Sequence, residues 1–387
     1  MIGPQQTYAR AWQLVRDNYY DPSYNNQNWS TWQHKFDGQL NSQADAFEAI
    51  KKMLASLNDP YTRLLDPKAF KEEDDAINSV VCGIGISLKP YKDTKALIIN
   101  EVIDGGPAKI AGLSEGDKIV AIDGESSIDY DNDKAADRIR GKAGTAVQLK
   151  VQRGETAKDF NITRQRIVIP AVTAKVLPEN IGYIKLSTFM SDDASAEFKY
   201  ALQRLNGTDG LIVDMRNNPG GLLANAIEIA DMLLPRGKIV TTVSRRGKLT
   251  DGASGMMLSN LPIVVLVDSD SASASEILAG ALKDNGRAVV VGSKTFGKGL
   301  VQEINRLPGG GGLHVTVARY FTPNGSDINK VGIVPDVVVS ERDKQMKAAV
   351  DIIQNRVASK GTESIMSTGP KRVSPMPGLQ RLLSPRS

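Results

Sequence analysis

The 387-residue sequence contains one cysteine, Cys82, and only two histidines, His34 and His314. A single thiol excludes an intramolecular disulfide and a zinc site built from several cysteines. The two histidines are far apart in the sequence, which makes a His-rich metal site or a Ser-His-Asp triad hard to build. Any catalysis would therefore need another base, and we expect no metal site.

Long apolar segments are also missing. No uninterrupted apolar run approaches the ~20 residues needed to cross a bilayer, and the first residues lack the apolar centre of a signal segment. Lys and Arg total 48 against 44 Asp and Glu, giving a formal charge of +4 without dense basic blocks. We therefore expect a protein with no membrane span of its own and no nucleic-acid partner, and no targeting segment among the residues of this chain.

Four regions follow from the pattern of the sequence, and they predict an α/β multidomain protein. Residues 1–77 carry all three tryptophans with helical apolar spacing, and 78–165 form a β-rich module. From 166 to 356, apolar strands alternate with helical segments, which predicts a largely parallel sheet covered by helices. Residues 357–387 are rich in Ser, Pro, Gly and Arg, and we expect them to be disordered.

The segment 268–284 passes from a buried strand into a helix and places Ser273 among small residues at the turn. A serine at this position lies at the positive end of a helix dipole, where free N–H groups can stabilise an oxyanion. The alternative is structural, because Ser273 and Glu276 have the spacing of a helix capping box.

The segment 291–302 follows another apolar strand and places Lys298 between glycines and apolar residues. Burial would favour a neutral lysine that could accept a serine proton, although a solvated surface lysine is the alternative. Gly292 to Lys298 also nearly matches a phosphate-binding loop. However, Gly299 replaces the required hydroxyl residue, and the following residues alternate like a strand, so a nucleotide site is disfavoured.

A third turn, at 214–223, contains Gly220 and Gly221 and could supply a second N–H donor for an oxyanion, or could be an ordinary strand-to-helix turn. The three turns should meet in space because ligands of open α/β sheets bind beyond the carboxyl ends of the strands.

Together, the Arg-Asn-Asn-Pro-Gly-Gly block at 216–221, the Ser-Ala-Ser-Ala-Ser-Glu-Ile block at 271–277 and the Thr-Phe-Gly-Lys-Gly-Leu-Val-Gln block at 295–302 resemble the signatures of the carboxyl-terminal processing peptidases, or tail-specific proteases. The resemblance implies a crotonase-like α/β core, a serine endopeptidase activity that cuts near protein C-termini, and no cofactor. It implies the following roles: nucleophile Ser273, general base Lys298, lysine-orienting residue Gln302, and oxyanion-hole donors Ala274 and Gly220 or Gly221.

The module at 78–165 resembles the PDZ domain of the same family, which captures a substrate C-terminus by adding it as a strand to a sheet edge. The resemblance assigns the carboxylate-binding loop to Gly83, Ile84, Gly85 and Ile86. Arg138 and Arg140 are candidates for regulatory contacts between the PDZ module and the protease core, or for solvated charges.

The early Tyr-Tyr-Asp-Pro block at 19–22 and the Asn-Trp pair at 28–29 look closest to cyanobacterial and plastid members, some of which mature a photosystem II reaction-centre subunit. This resemblance implies a periplasmic or thylakoid-lumen location. It also implies substrates with accessible apolar C-termini, including membrane proteins. A rival interpretation is a non-catalytic PDZ adaptor that binds C-terminal peptides.

Overall fold

The structure is a computed structural model that describes residues 3–77, 80–90, 97–103, 105–168 and 170–367. None of the helices in these ranges is both long and apolar enough to cross a bilayer.

The N-terminal region is helical, as the sequence predicts. Proline starts its first helix, and the Ser42 hydroxyl and Asp45 carboxylate cap the second in a reciprocal capping box. The apolar faces of the two helices enclose Trp12 and Trp29 and pack against Leu313 and Val315 of the third region. Its elements are α1 (Pro4–Asn18), a 3-10 turn (Trp29–Trp32), α2 (Gln43–Ala55), β1 (Arg63–Leu65) and α3 (Pro67–Ile77).

The second region is a β-rich module with two short helices. Its main sheet has the order β3-β4-β5-β7-β8, so that β3 is an edge strand, and β6 pairs with β5. A separate two-stranded ribbon, β2 with β9, lies at the beginning and end of the module. The elements are β2 (Val80–Gly83), β3 (Ile86–Pro90), β4 (Leu97–Val102), α4 (Pro107–Ile110), β5 (Lys118–Ile122), β6 (Glu125–Ser126), α5 (Asn132–Ile139), β7 (Ala146–Arg153), β8 (Thr156–Thr163) and β9 (Gln165–Val168).

The third region is a layered α/β core. Its six-stranded sheet has the order β10-β11-β12-β15-β16-β19, and every neighbouring pair is parallel except β10 with β11. The elements are β10 (Val172–Val176), β11 (Ile181–Leu186), α6 (Ala194–Arg204), β12 (Gly210–Asp214), α7 (Leu223–Leu233), β13 (Lys238–Ser244), β14 (Gly247–Gly252), β15 (Ile263–Val267), α8 (Ala274–Asp284), β16 (Ala288–Gly292), β17 (Leu300–Arg306), β18 (Gly312–Phe321), β19 (Val337–Val338) and α9 (Arg342–Ser367).

Two apolar layers explain the continuous hydrophobic run in β15, all five of whose residues are buried. Val265 and its neighbours on one face pack against α6, α7 and α8, whereas Val264 and Leu266 on the other face pack against α9. A second sheet, β1-β18-β13-β14 with β17 added to β18, covers the α8 side. The β1–β18 pairing attaches the N-terminal region to this sheet.

The C-terminal boundary differs from the prediction. Helix α9 continues to Ser367, beyond the predicted end of the core at 356, and Ala349 and Ile353 in its first half are fully buried. Residues 368–387 of the predicted disordered tail lie outside the described residues.

Candidate active site

Ser273 lies at the junction between β15 and α8. Its backbone has φ 54° and ψ −114°, a positive φ that is unusual for a residue other than glycine. A strained conformation of this kind costs about 1–3 kcal/mol and persists only where the surrounding structure enforces it. The strain therefore indicates a constrained, half-buried serine at the start of α8.

Glu276 supplies much of this constraint. Its carboxylate is fully buried, and Oε2 accepts hydrogen bonds from the backbone N–H groups of Ser273 (2.8 Å) and Lys298 (2.9 Å). Oε1 accepts from Thr295 Oγ1 (2.6 Å) and from the N–H of Gly297 (2.7 Å). One buried carboxylate thus holds the Ser273 turn against the 293–299 loop, a role beyond the local cap suggested by the sequence spacing.

Tyr320 makes a second connection between the same two segments. Its hydroxyl lies within hydrogen-bond distance of the carbonyl oxygens of both Ser273 and Lys298. Burial raises the pKa of Tyr320 well above its ordinary value, with the carboxylate of Glu276 adding to the shift, so the hydroxyl remains a donor. Sequence reasoning assigned no role to this tyrosine.

The Lys298 side chain is half-buried in the cleft next to Ser273. Burial lowers its pKa, and the nearby Arg63 guanidinium lowers it further, against the opposing effects of Glu73, Asp59 and Glu276. Its Nζ lies 5.0 Å from the ring centroid of Tyr61. Among the described residues, no hydrogen bond joins Nζ to Ser273 Oγ.

Gln302 lines the same cleft as Lys298. Its Nε2 lies 3.5 Å from Thr316 Oγ1, and the hydrogen bonds of the described ranges include none between Gln302 and Lys298. The predicted orienting role of Gln302 therefore stays a prediction. The residues after Lys298 form β17, so the phosphate-binding-loop interpretation lacks the helix that it requires.

The turn at 217–221 packs directly against the Ser273 turn. The carbonyl oxygen of Asn218 accepts hydrogen bonds from Ala272 N (3.0 Å) and Ser275 Oγ (2.9 Å). A Cβ added to Gly220, whose φ is +96°, would lie 2.6 Å from the Ala272 carbonyl oxygen and 2.9 Å from Ala274 N. Only glycine therefore allows this close approach.

The three candidate oxyanion donors differ in their partners. The Gly220 N–H donates to Asn218 Oδ1 at 2.9 Å. Within the part of the chain that the structure describes, no hydrogen bond uses the N–H of Ala274 or Gly221. These two groups are therefore available to a ligand.

Residues from all three turns border one cleft of about 720 Å³. The six residues that the resemblance assigned to catalysis and the oxyanion hole line it together: Ser273, Lys298, Gln302, Ala274, Gly220 and Gly221. Apolar side chains form much of the remaining wall, namely Met190, Leu222, Leu223, Ile277 and Leu300. The arrangement offers a hydroxyl, a lysine and free N–H groups, which are the groups that acyl transfer from a peptide uses, and it places them beside an apolar surface.

The N-terminal region contributes a wall that sequence reasoning did not anticipate. Tyr61, Arg63 and Glu73 line the cleft together with His314 of β18. His314 Nε2 lies 2.7 Å from Glu73 Oε1. No group of three or more His, Cys, Asp or Glu side chains within the described ranges is arranged to hold a metal ion.

The four predicted carboxylate-loop residues, Gly83, Ile84, Gly85 and Ile86, line a separate groove of about 330 Å³ in the β-rich module. Side chains of α5 and Ile167 of β9 complete its wall. The groove runs along β3, the edge strand of the sheet, and its lining is largely apolar.

The two arginines proposed as regulatory contacts pair within their own module. Arg138 Nη2 lies 2.9 Å from Glu125 Oε2, and Arg140 Nη1 lies 3.7 Å from Asp137 Oδ1. About half of each arginine side chain is exposed, at 47% and 59%. Among the described residues, neither arginine forms an ion pair outside the β-rich module. Arg140 also borders the groove.

Comparison with known proteins agrees with this architecture. The chain matches the family model for peptidase family S41 at residues 180–339, a PDZ domain at 76–152 and the tricorn protease C1 domain at 4–55. It is 42% identical to a carboxyl-terminal-processing protease of Picosynechococcus sp., over 90% of this chain and 89% of that protein. It is 41% identical to the protein of the same description from Synechocystis sp., over 92% and 88%.

A solved structure described as photosystem II D1 C-terminal processing protease is 35% identical and has a TM-score of 0.59, covering 88% of this chain and 94% of that chain. The fold and these matches define a PDZ-containing serine peptidase. The chain belongs to the carboxyl-terminal-processing proteases of peptidase family S41.

Proposed function

We propose that the chain cleaves proteins near their C-termini with Ser273 as the nucleophile and Lys298 as the general base. The observation that carries this proposal is the shared attachment of both residues to Glu276 Oε2 at the edge of one cleft. Burial lowers the pKa of Lys298 and so supports a neutral amine that can accept the hydroxyl proton.

The reaction follows from these positions. Neutral Lys298 takes the proton from Ser273 Oγ as the oxygen attacks the peptide carbonyl, and the N–H groups of Ala274 and Gly221 stabilise the oxyanion. Lys298 then gives the proton to the leaving amine as the acyl-enzyme forms. It next accepts a proton from the water that attacks this ester, and returns it to Ser273 Oγ when the ester is cleaved.

The PDZ module would deliver the substrate. Its groove borders the free edge of β3, where an extended C-terminus can add as a strand while backbone N–H groups of 83–86 hold the terminal carboxylate. Ile86, Ile139 and Ile167 line this groove and favour an apolar C-terminal side chain.

The description of the similar solved structure supports a photosystem II reaction-centre subunit precursor, a membrane protein, as the substrate. Cleavage of such a substrate would take place in the periplasm or the thylakoid lumen, which is the location that we propose. The sources of the curated relatives, which include cyanobacteria and chloroplasts, agree with that location.

The test is digestion of an unstructured protein with an apolar C-terminus by the parent, Ser273→Ala and Lys298→Ala, with the fragments identified by mass spectrometry. We expect cuts near the C-terminus by the parent and no cuts by either folded variant. Normal cleavage by Lys298→Ala would show that the base is wrong. A parent that binds C-terminal peptides without cutting would favour the adaptor.

A further inference from the structure

A short turn of the N-terminal region is fixed to the strand that borders the active site. Asp59 accepts hydrogen bonds from the Tyr61 N–H (3.0 Å) and from Thr62 Oγ1 (2.7 Å). Thr62 Oγ1 in turn accepts from the N–H of Thr316 on β18 (3.0 Å). β18 also carries Tyr320, whose hydroxyl contacts the carbonyl oxygens of Ser273 and Lys298. The turn and the two loops are therefore attached to the same strand.

Attachment of the turn to β18 places the ring of Tyr61 next to the amine of Lys298. Lys298 Nζ lies 5.0 Å from the Tyr61 ring centroid, within the ~6 Å over which an aromatic face attracts a cation. Over the described part of the chain, Nζ takes part in no hydrogen bond and no ion pair. The aromatic face is thus the specific contact made by this amine.

The contact with the Tyr61 ring stabilises one protonation state of Lys298 more than the other. The quadrupole of an aromatic ring stabilises an ammonium and offers little to a neutral amine. Attack by Ser273 Oγ, in contrast, requires a neutral lysine that accepts a hydrogen bond. The ring therefore stabilises a resting arrangement in which Lys298 is protonated. Lys298 must lose this proton before Ser273 Oγ can attack.

We propose that Tyr61 is a positioning residue whose ring holds protonated Lys298 in a resting position, and that loss of the proton releases the side chain to bond Ser273 Oγ. This inference rests on the proposed function. Other charged groups act on the same amine: the cation that disfavours its charge is Arg63, and the carboxylates that favour it are Asp59, Glu73 and Glu276. His314 is linked to the site through Glu73, and Tyr320 borders the same cleft.

The first experiment measures kcat/KM against pH for the parent, Tyr61→Leu and Tyr61→Phe. Loss of the ring should lower the pKa of Lys298, moving the acidic limb of the Tyr61→Leu profile to lower pH by about 0.5–1 unit. Tyr61→Phe keeps the aromatic face, and its limb should match that of the parent. An unchanged limb in Tyr61→Leu, or an equal shift in both variants, would overturn the proposal.

A second experiment measures the protonation of Lys298 without relying on activity. The enzyme is labelled with ¹³Cε-lysine in the Ser273→Ala background, the Lys298 signal is assigned by its loss in Lys298→Arg, and its pKa is read by NMR titration. We expect a lower pKa with Tyr61→Leu than with the native tyrosine. An unchanged pKa would overturn the role of Tyr61 even if Ser273 and Lys298 prove essential for cleavage.

A third variant covers the case in which Tyr61→Leu fails to fold. Pentafluorophenylalanine incorporated at position 61 keeps the size of a phenylalanine ring, but fluorine withdraws electron density from the ring face. The pKa of Lys298 should fall relative to Tyr61→Phe, and equal values for the two proteins would contradict the proposal. If Lys298→Ala cleaves normally, the proposed function itself fails, whatever Tyr61 does.

Discussion

The backbone N–H groups of Ser273 and Lys298 donate to the same atom, Oε2 of Glu276, at 2.8 and 2.9 Å. Ser273 follows β15 and Lys298 follows β16, so the shared oxygen fixes the turn of one strand against the loop of its neighbour. The spacing between the proposed nucleophile and base thus depends on a side chain that itself need not touch the substrate.

Glu276→Gln should therefore impair both folding stability and cleavage. An amide replaces one of the two acceptor oxygens with an NH₂ group that faces buried donors, which costs about 1–3 kcal/mol of unfolding free energy. We expect kcat to fall more than tenfold because the Ser273 and Lys298 backbones separate. Urea unfolding and steady-state kinetics measure the two effects, and Glu303→Gln, at an exposed position on β17, is the control. Parental kcat in Glu276→Gln would contradict this role.

Tyr320→Phe removes the hydroxyl shared by the carbonyls of Ser273 and Lys298. Loss of one buried hydrogen bond should lower the unfolding free energy by about 0.5–1.5 kcal/mol. We expect a decrease in kcat with little change in KM, because the catalytic loops loosen while the apolar walls of the cleft remain. Tyr200→Phe, on an exposed tyrosine, should change neither quantity. A change confined to KM would instead assign Tyr320 to substrate binding.

The convergence of the three turns at the cleft could be predicted from sequence because it depends on neighbouring parallel strands. β12, β15 and β16 are adjacent in the sheet, so the turn at Gly220, the turn at Ser273 and the loop at Lys298 leave the same edge. Each turn had local signals: glycine pairs, small hydroxyl residues and a lysine after an apolar strand. Physical reasoning about βα units was therefore sufficient to bring them together.

The wall built by Tyr61, Arg63 and Glu73 could not be predicted in this way. It reaches the cleft because β1 pairs with β18, with Arg63 opposite His314, across a long sequence separation. No local pattern in either segment specifies that partner. The length of α9 was missed because the composition after residue 356 suggested disorder, whereas the helix continues to Ser367.

Gly85→Ala should weaken binding of C-terminal peptides. Gly85 has φ +81°, and an added Cβ would lie 3.3 Å from Ile167 Cδ1 inside the groove. We expect the Kd of a peptide with an apolar C-terminus to rise about tenfold, equivalent to ~1.4 kcal/mol. Calorimetry with the acid and amide forms of the peptide measures the effect, and the amide should bind poorly to the parent because it lacks the terminal carboxylate.

The control for Gly85 is Gly154→Ala. Gly154 also has a positive φ, of +62°, but an added Cβ there meets no atom within 4 Å. Both alanines should destabilise the module by about 1–2 kcal/mol through backbone strain. If both variants lose peptide affinity equally, the strain rather than the groove explains the loss.

Lys298→Arg should be inactive throughout the pH range in which the protein is folded. A guanidinium remains protonated in proteins and cannot accept the Ser273 proton. The parent, in contrast, should gain activity as pH rises through the lowered pKa of Lys298 and lose it on acidification. Cleavage assays across pH distinguish the two, with circular dichroism confirming that the variant is folded. Measurable activity in Lys298→Arg would show that another group serves as the base.

The charges of Arg63 and Glu73 should move the acidic limb of the parental profile in opposite directions. The Arg63 guanidinium lowers the pKa of Lys298, so Arg63→Gln should raise it and shift the limb to higher pH. Glu73 raises that pKa, so Glu73→Gln should shift the limb to lower pH. The Arg63→Gln shift should shrink at high salt because the Arg63 side chain is 55% exposed, whereas the Glu73→Gln shift should persist because the Glu73 side chain is only 13% exposed. Lys68→Gln, at an 87% exposed side chain of the same region, should leave the limb unchanged. Shifts of the same sign for Arg63→Gln and Glu73→Gln would mean that the limb reports a group other than Lys298.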